Sequence, residues 1–547
     1  MCAAGLRLVS LPDSTLLARS GAVCSVDALA SSAGVALLRA GGSAADAAVG
    51  ASAVLTVTTQ HMCGMGGDLV AVVDPGHGEP EALLAVGVAG AGSSAQSLLD
   101  DGYTRMPHRG DVRSVTVPGC VDGWLALHGR HGRLPLADVL APATGYARDG
   151  FPISPLLAEA LPRVAGVEGG EELVGALAAA AGDLRRRPRQ AEALAEIAAH
   201  GREAWYGGAF GEGLMRVGAG LFSPADLDDD LAEWVAPLTV DAFGWQLSAT
   251  PAPTSGYLAL AGIAVADRLG LPADPTDPLW AHLLIEACRA VGHDRLEQLY
   301  DGAPLQELLD AAALDARTAL VHPDRSLVGA DVPGTPGGTI YLAAADADGM
   351  VVSLSQSNAG GFGTHLAVPE VGVFLQNRGI GFSLVPGHPA ELAPGRRPPH
   401  TLAPVIATRQ SGSGPRASIA VGTMGGDAQP QVVVQLLARL AAGATPAAAV
   451  TAGRWALAGP DGSGFDTWDG DPTGRSAAYP SLTGQLVRLE DSAPDDWADE
   501  LRSRGHAVDV EPVSGGFGHA SVLQRQADGT LPGAADPRAG TSAAVGY

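Results

Sequence analysis

Small and apolar residues recur at helical spacing through residues 25–58, broken once at Ala40-Gly41-Gly42-Ser43. The pattern predicts two helices with a turn between them. Ser43 would cap the second, because its hydroxyl can accept from an unpaired first-turn N–H, and Ala44, Ala47, Ala48 and Ala51 would form a close-packing face. Gly64-Met65-Gly66-Gly67 then ends the periodicity, and Asp68 opens the run Leu69-Val70-Ala71-Val72-Val73. Its valines suit a buried strand. Helical spacing returns over residues 120–200 and again over residues 281–295, which read as an amphipathic helix.

The pattern changes near residue 330. Residues 331–338 are rich in Pro and Gly and read as a linker. Two strand-like runs follow, 339–345 and 350–357, joined by Asp346-Ala347-Asp348-Gly349, a composition suited to a hairpin turn. A symmetric turn would pair Gly338 with Ser357 and Thr339 with Gln356. That register sets a hydroxyl at 357 beside the Gly338–Thr339 bond.

Composition narrows the class. The chain has 547 residues, 46% hydrophobic and 17% charged, which is globular and not disordered. All 34 basic residues are arginine, against 59 acidic ones, for a formal charge of −25. Such a surface repels phosphates, so neither a nucleic acid nor an anionic membrane is an expected partner. The start lacks the basic and apolar segments of a secretory signal, and no apolar run reaches the roughly 18 residues of a membrane span. A cytoplasmic location is the expectation. Cys2, Cys24, Cys63, Cys120 and Cys288 are odd in number and scattered, and suggest neither a disulfide framework nor a zinc site.

Specific segments carry a family resemblance. Gly41 to Val49, His61 to Asp68, Ser114 to Gly119 followed by Gly123-Trp124, and Asp536 to Tyr547 resemble, in that order, signature segments of gamma-glutamyltranspeptidases. The resemblance implies an α+β fold, a four-layer αββα sandwich of the N-terminal nucleophile hydrolase type. It implies self-cleavage before Thr339, so that 1–338 becomes a large fragment and 339–547 a small one, the two forming one intertwined domain and a heterodimer. A free amine at Thr339, with a pKa of about 7.7–8.0, could take the proton of its own hydroxyl, which an internal amide cannot. Ser357 aligns with a family threonine that hydrogen-bonds the nucleophile. Gly425 and Gly426 match paired glycines whose N–H groups face the oxyanion.

The departures bear on the substrate. Val88 stands where the family has a carboxylate-binding arginine, and Gly381 where it has an aspartate for the α-amino group. His400-Thr401 replaces a serine pair, and an asparagine is displaced by one place to Asn358. Two missing ionic contacts would cost about 3–6 kcal/mol, so the ordinary glutamyl pocket is not expected. Arg378 would present a guanidinium to an acid-ended acyl group, and His400 could add a second donor. The Gln376-Asn377-Arg378-Gly379 and Pro399-His400-Thr401 variants are similar to the acylase-like branch. The resemblance implies a small-molecule acyl or amide substrate, with no metal and no organic cofactor. Three functions stay open: a gamma-glutamyl transferase or hydrolase, an acylase-like or biosynthetic hydrolase (C–C bond cleavage included), and an uncleaved binding protein.

Overall fold

The computed structural model describes residues 14–175, 179–327, 338–410, 416–458 and 486–547. The proposed linker, apart from Gly338, lies outside the described residues, as does Cys2.

The break at residues 40–43 separates helices Ala28–Arg39 and Ala44–Thr58 as the pattern requires. Ser43 and Asp46 form a reciprocal cap: the Asp46 N–H donates to Ser43 Oγ (3.1 Å) and the Ser43 N–H to Asp46 Oδ2 (2.9 Å). Every residue of Ala44–Thr58 is buried, because helices cover it on one side and the strands Gly338–Asp346 and Val351–Ala359 on the other. Alanine at so many positions lets these layers approach closely.

Two seven-stranded antiparallel sheets stack face to face. The first runs, in spatial order, Ala543–Gly546, Gly21–Ser25, Gly338–Asp346, Val351–Ala359, Asp68–Asp74, Glu81–Ala85 and Ala232–Val235. The second runs Leu16–Ala18, Leu531–Ala535, Ser521–Arg525, Ala417–Gly422, Val405–Arg409, Trp245–Ala249 and Leu238–Ala242. A layer that includes Cys24, Val72, Tyr341, Ala343, Ile406 and Leu523 fills the space between them. The approach is close enough that a Cβ on Gly422 would stand 2.3 Å from the Tyr341 ring. Helices Ala44–Thr58 and Cys120–His131 pack on the first sheet, and Gly256–Leu269 and Gln429–Ala441 on the second. The result is the four-layer αββα sandwich. Both sheets combine strands from before and after residue 338.

Two expectations need correction. The hairpin is slipped by one: Thr339 pairs with Ser357, Ile340 with Gln356, and a bulge at Gly338/Thr339 sets Gly338 opposite Ala359. The turn is therefore asymmetric, yet Ser357 stays beside the junction. The helix near residue 281 spans Pro278–Gly292 and is not amphipathic, since every residue from Trp280 to Gly292 is buried. Its polar residues face partners and not water. His282 Nε2 donates to His322 O (2.8 Å), His506 Nε2–H to His282 Nδ1 (2.7 Å), and Arg289 reaches both His506 Nδ1 (3.1 Å) and Glu286 Oε1 (3.0 Å). His282, Glu286 and His506 have metal-ligand chemistry, but these bonds occupy it with one another and with Arg289. Among the described residues no helix is long and apolar enough to cross a membrane.

Candidate functional site

The site forms where the two central strands of the first sheet begin and end. Thr339 is fully buried on one, with Ser357 opposite on the other. The Thr339 hydroxyl donates to Ser357 Oγ (3.0 Å), and the Ser357 hydroxyl donates to the Gly338 carbonyl oxygen (2.6 Å). The Ala359 N–H (2.9 Å) and Arg378 Nη2 (3.2 Å) also reach Ser357 Oγ. One hydroxyl thus touches the threonine side chain and the carbonyl just before it.

Of the other sequence-predicted residues, Arg378 touches this pair, Asn358 follows Ser357, and His400 reaches Asp68, which pairs with Ser357 across the sheet. Asn358 is buried against the glycine turn: Cβ atoms at Gly64 and Gly67 would lie 3.1 Å and 2.5 Å from its amide group, which has no hydrogen-bond partner. The turn is glycine because nothing larger fits. Arg378 is buried, and burial lowers its guanidinium to about 10 despite the attraction of Asp68 and Asp427. Its Nε donates to nothing. His400 is buried with Nε2 3.1 Å from Asp68 Oδ2. Burial, reinforced by the Arg378 cation, lowers His400 to about 4, so the ring is neutral near pH 7. With the Nε2–H directed at a carboxylate, its unpartnered Nδ1 is an acceptor and not the second donor expected. The Thr401 hydroxyl is buried without a partner.

Gly425 and Gly426 hold left-handed backbone, φ 133° and 55°, at the start of the 3-10 turn Gly426–Ala428. Their N–H groups donate to no acceptor among the described residues. The next residue, Asp427, is ion-paired with Arg295 (2.7 Å) and within electrostatic reach of Arg378, which ties the turn to the Ser357 side of the site.

The gamma-glutamyltranspeptidase family model matches residues 30–546. The chain belongs to that family. It is 34% identical, over 95% of its length and 97% of the relative's, to oxamate amidohydrolase proenzyme of Klebsiella pneumoniae. It is 30% identical, over 96% and 93%, to acylase ACY 1 proenzyme of a Pseudomonas species. The solved cephalosporin acylase of Bacillus halodurans shares the fold with a TM-score of 0.85, 29% identity and coverage of 98% and 97%. This gamma-glutamyltranspeptidase family member is thus an acyl-transferring or hydrolysing enzyme with amidohydrolase and acylase relatives.

Seen as a family member, the chain shows a physical reason for one departure. At Gly381 a Cβ would stand 2.4 Å from the Pro399 carbonyl oxygen, so no aspartate fits there. Val88 is half-buried in the hydrophobic core, its carbonyl bonded to the Val117 N–H (3.0 Å). Sequence reasoning missed Asp68 as a hub. Its carboxylate accepts from the Gly87 and Gly119 N–H groups (3.0 and 3.1 Å) and from Gln376 Nε2 (2.9 Å), besides His400. A buried aspartate closing a glycine turn was the available signal. His61 and His519 were also missed; both have two shielded ring nitrogens without partners and lie within electrostatic reach of each other.

Proposed function

We propose that this enzyme cleaves itself before Thr339 and then hydrolyses amides through that threonine. The relay Thr339 hydroxyl, Ser357 hydroxyl, Gly338 carbonyl carries the reading. Ser357 polarises the Gly338 carbonyl while Thr339 Oγ adds to its carbon. The C–N bond breaks, and the nitrogen keeps the hydroxyl proton. Water hydrolyses the resulting ester, leaving a Gly338 carboxylate and a free Thr339 amine. In turnover that amine accepts the proton as Thr339 Oγ attacks an amide, and the leaving amine takes it away. The uncommitted Gly425 and Gly426 N–H groups suit the oxyanion. Water or an amine releases the acyl group. Fragments 1–338 and 339–547 stay together as a heterodimer, because both contribute hydrogen-bonded strands to each sheet.

The acyl group carries an acid and needs no α-amino group. Arg378 is one hydroxyl away from Thr339 and retains free donors, while Gly381 offers no carboxylate for an amine. Oxamate, in the name of the Klebsiella relative, has its carboxylate bonded directly to the reacting carbonyl. Amides of short dicarboxylic acids are the substrate class. Asn358, His400 and Thr401 are the further substrate-binding residues in this reading.

The experiment is intact mass followed by turnover. Wild type should appear as two chains divided between residues 338 and 339, and Thr339→Ala as one inactive chain. Oxamate and glutaramate should be hydrolysed in preference to a gamma-glutamyl amide. An active but uncleaved wild type overturns the mechanism; a strong gamma-glutamyl preference overturns the acid selectivity.

A further inference from the structure

Directly after Asn358, the segment 359–365 concentrates unusual backbone. Ala359, Phe362 and His365 have left-handed φ of 69°, 57° and 59°. Such conformations are costly for residues with a Cβ and persist where the surroundings impose them. Here the surroundings are polar clamps. The Gly360 N–H donates to Asn377 Oδ1 (2.7 Å), Asn377 Nδ2 donates to His108 O (2.8 Å), and His365 Nε2 lies 3.1 Å from Gly361 O. What they hold in place is a two-glycine lip against the scissile residue: a Cβ on Gly338 would stand 3.1 Å from Gly360 O and 3.2 Å from Gly361 Cα. An acyl chain entering where Gly338 lies therefore runs along Gly360–Gly361.

At the far side of that lip the charge is one-signed. Arg163 Nη1 lies 3.9 Å from where a Gly361 Cβ would be. Arg109 and Arg163 both repel a proton from His365, which burial and these cations lower to about 4; burial, His519 and Arg163 lower His61 to about 3. Neither arginine makes an ion pair or hydrogen bond among the described residues, although the chain has 59 acidic residues against 34 arginines. The Gly361 N–H is uncommitted too, and Gly361 is partly exposed. Two cations gathered on a constrained lip with no carboxylate of their own call for an anion from outside.

We propose that Arg109 and Arg163, with the Gly361 N–H, form a second anion subsite of the acyl pocket, which takes the far carboxylate of a short dicarboxylic acyl group. The inference rests on the maturation reading, since the chain enters the place that Gly338 vacates. It divides the work of the two cationic groups: Arg378 meets an acid next to the reacting carbonyl, and the lip meets one several atoms away.

Glutarate and oxamate, titrated calorimetrically into wild type and into Arg109→Gln/Arg163→Gln, separate the two. Arg163 is exposed and Arg109 half-buried, and neither has a partner among the described residues, so the variant should fold and mature, which intact mass reports. The ratio of glutarate to oxamate affinity should fall roughly tenfold or more in the variant, the loss expected for charge-assisted hydrogen bonds. A two-chain wild type whose glutarate affinity is unchanged in the variant, or that does not bind glutarate, overturns the subsite alone. A wild type that stays one chain overturns the maturation reading and takes the subsite with it.

Discussion

Ser357 has more donors than it can serve. Thr339 Oγ, the Ala359 N–H and Arg378 Nη2 all approach an oxygen with two lone pairs, whose own proton is committed to Gly338 O. The threonine proton is the one that can turn away, and its departure readies Thr339 Oγ for attack. Ser357→Ala removes both the acceptor and the donor to the scissile carbonyl. Maturation should slow by roughly ten- to a hundredfold, equivalent to the loss of about 1.5–3 kcal/mol for a hydrogen bond to a charged or developing-charge group. The melting temperature should change little, because alanine fits the same space. Maturation at the wild-type rate, followed by gel densitometry over time, would reduce Ser357 to a strand residue. The closeness of Ser357 to the Gly338–Thr339 junction was legible from the hairpin pattern and the family junction together, whereas its pairing with Thr339 was not, the register being one residue off. His61 and His519 were not legible, since a lone histidine has no periodic or spacing signal.

The glycine turn acts as an element and not as a set of flexible points. Gly67 packs so that a Cβ would come within 2.2 Å of Ser357 O and 2.5 Å of Asn358 Oδ1, and Gly66 within 2.2 Å of Phe374 O. Space, not φ, dictates glycine here. Gly67→Ala must push the end of strand Val351–Ala359 aside, with an overpacking cost of about 1–3 kcal/mol. The displaced residues include Ser357, so maturation should fall further than the urea midpoint does. A variant with normal maturation would show that the strand end yields freely. The break at residues 40–43 and this turn were readable because glycine and serine interrupt clear periodicities. Helix Pro278–Gly292 was misread for the opposite reason. His282, Glu286 and Arg289 look like a solvent face, and only the fold supplies His506 and His322 as their partners.

At the scale of the molecule, the four layers followed from family resemblance, whereas the interleaving of strands from both sides of residue 338 did not follow from any local pattern. That interleaving buries polar groups from distant segments together, and with them the histidines. Burial is the largest cause that lowers His61 to about 3, His365, His400 and His519 to about 4, and His506 to about 2, from an ordinary 6.5. The sign follows from proton counting. Between pH 6.5 and 4 the unfolded chain binds protons at these rings and the native chain does not, so the native state loses stability as pH falls through that window. The slope is at most about 1.4 kcal/mol per pH unit for each ring. Asp122 opposes it: burial raises its carboxyl to about 6, so the native state takes up that proton first. Burial raises the Asp27 and Glu286 carboxyls as well, and five rings against three carboxyls still leave a net loss on acidification. Urea unfolding at pH 7.5, 6 and 5 should show stability nearly level above 6.5 and falling steeply below it. Equal stability at all three would mean that these rings accept protons in the native state, which burial would then fail to prevent.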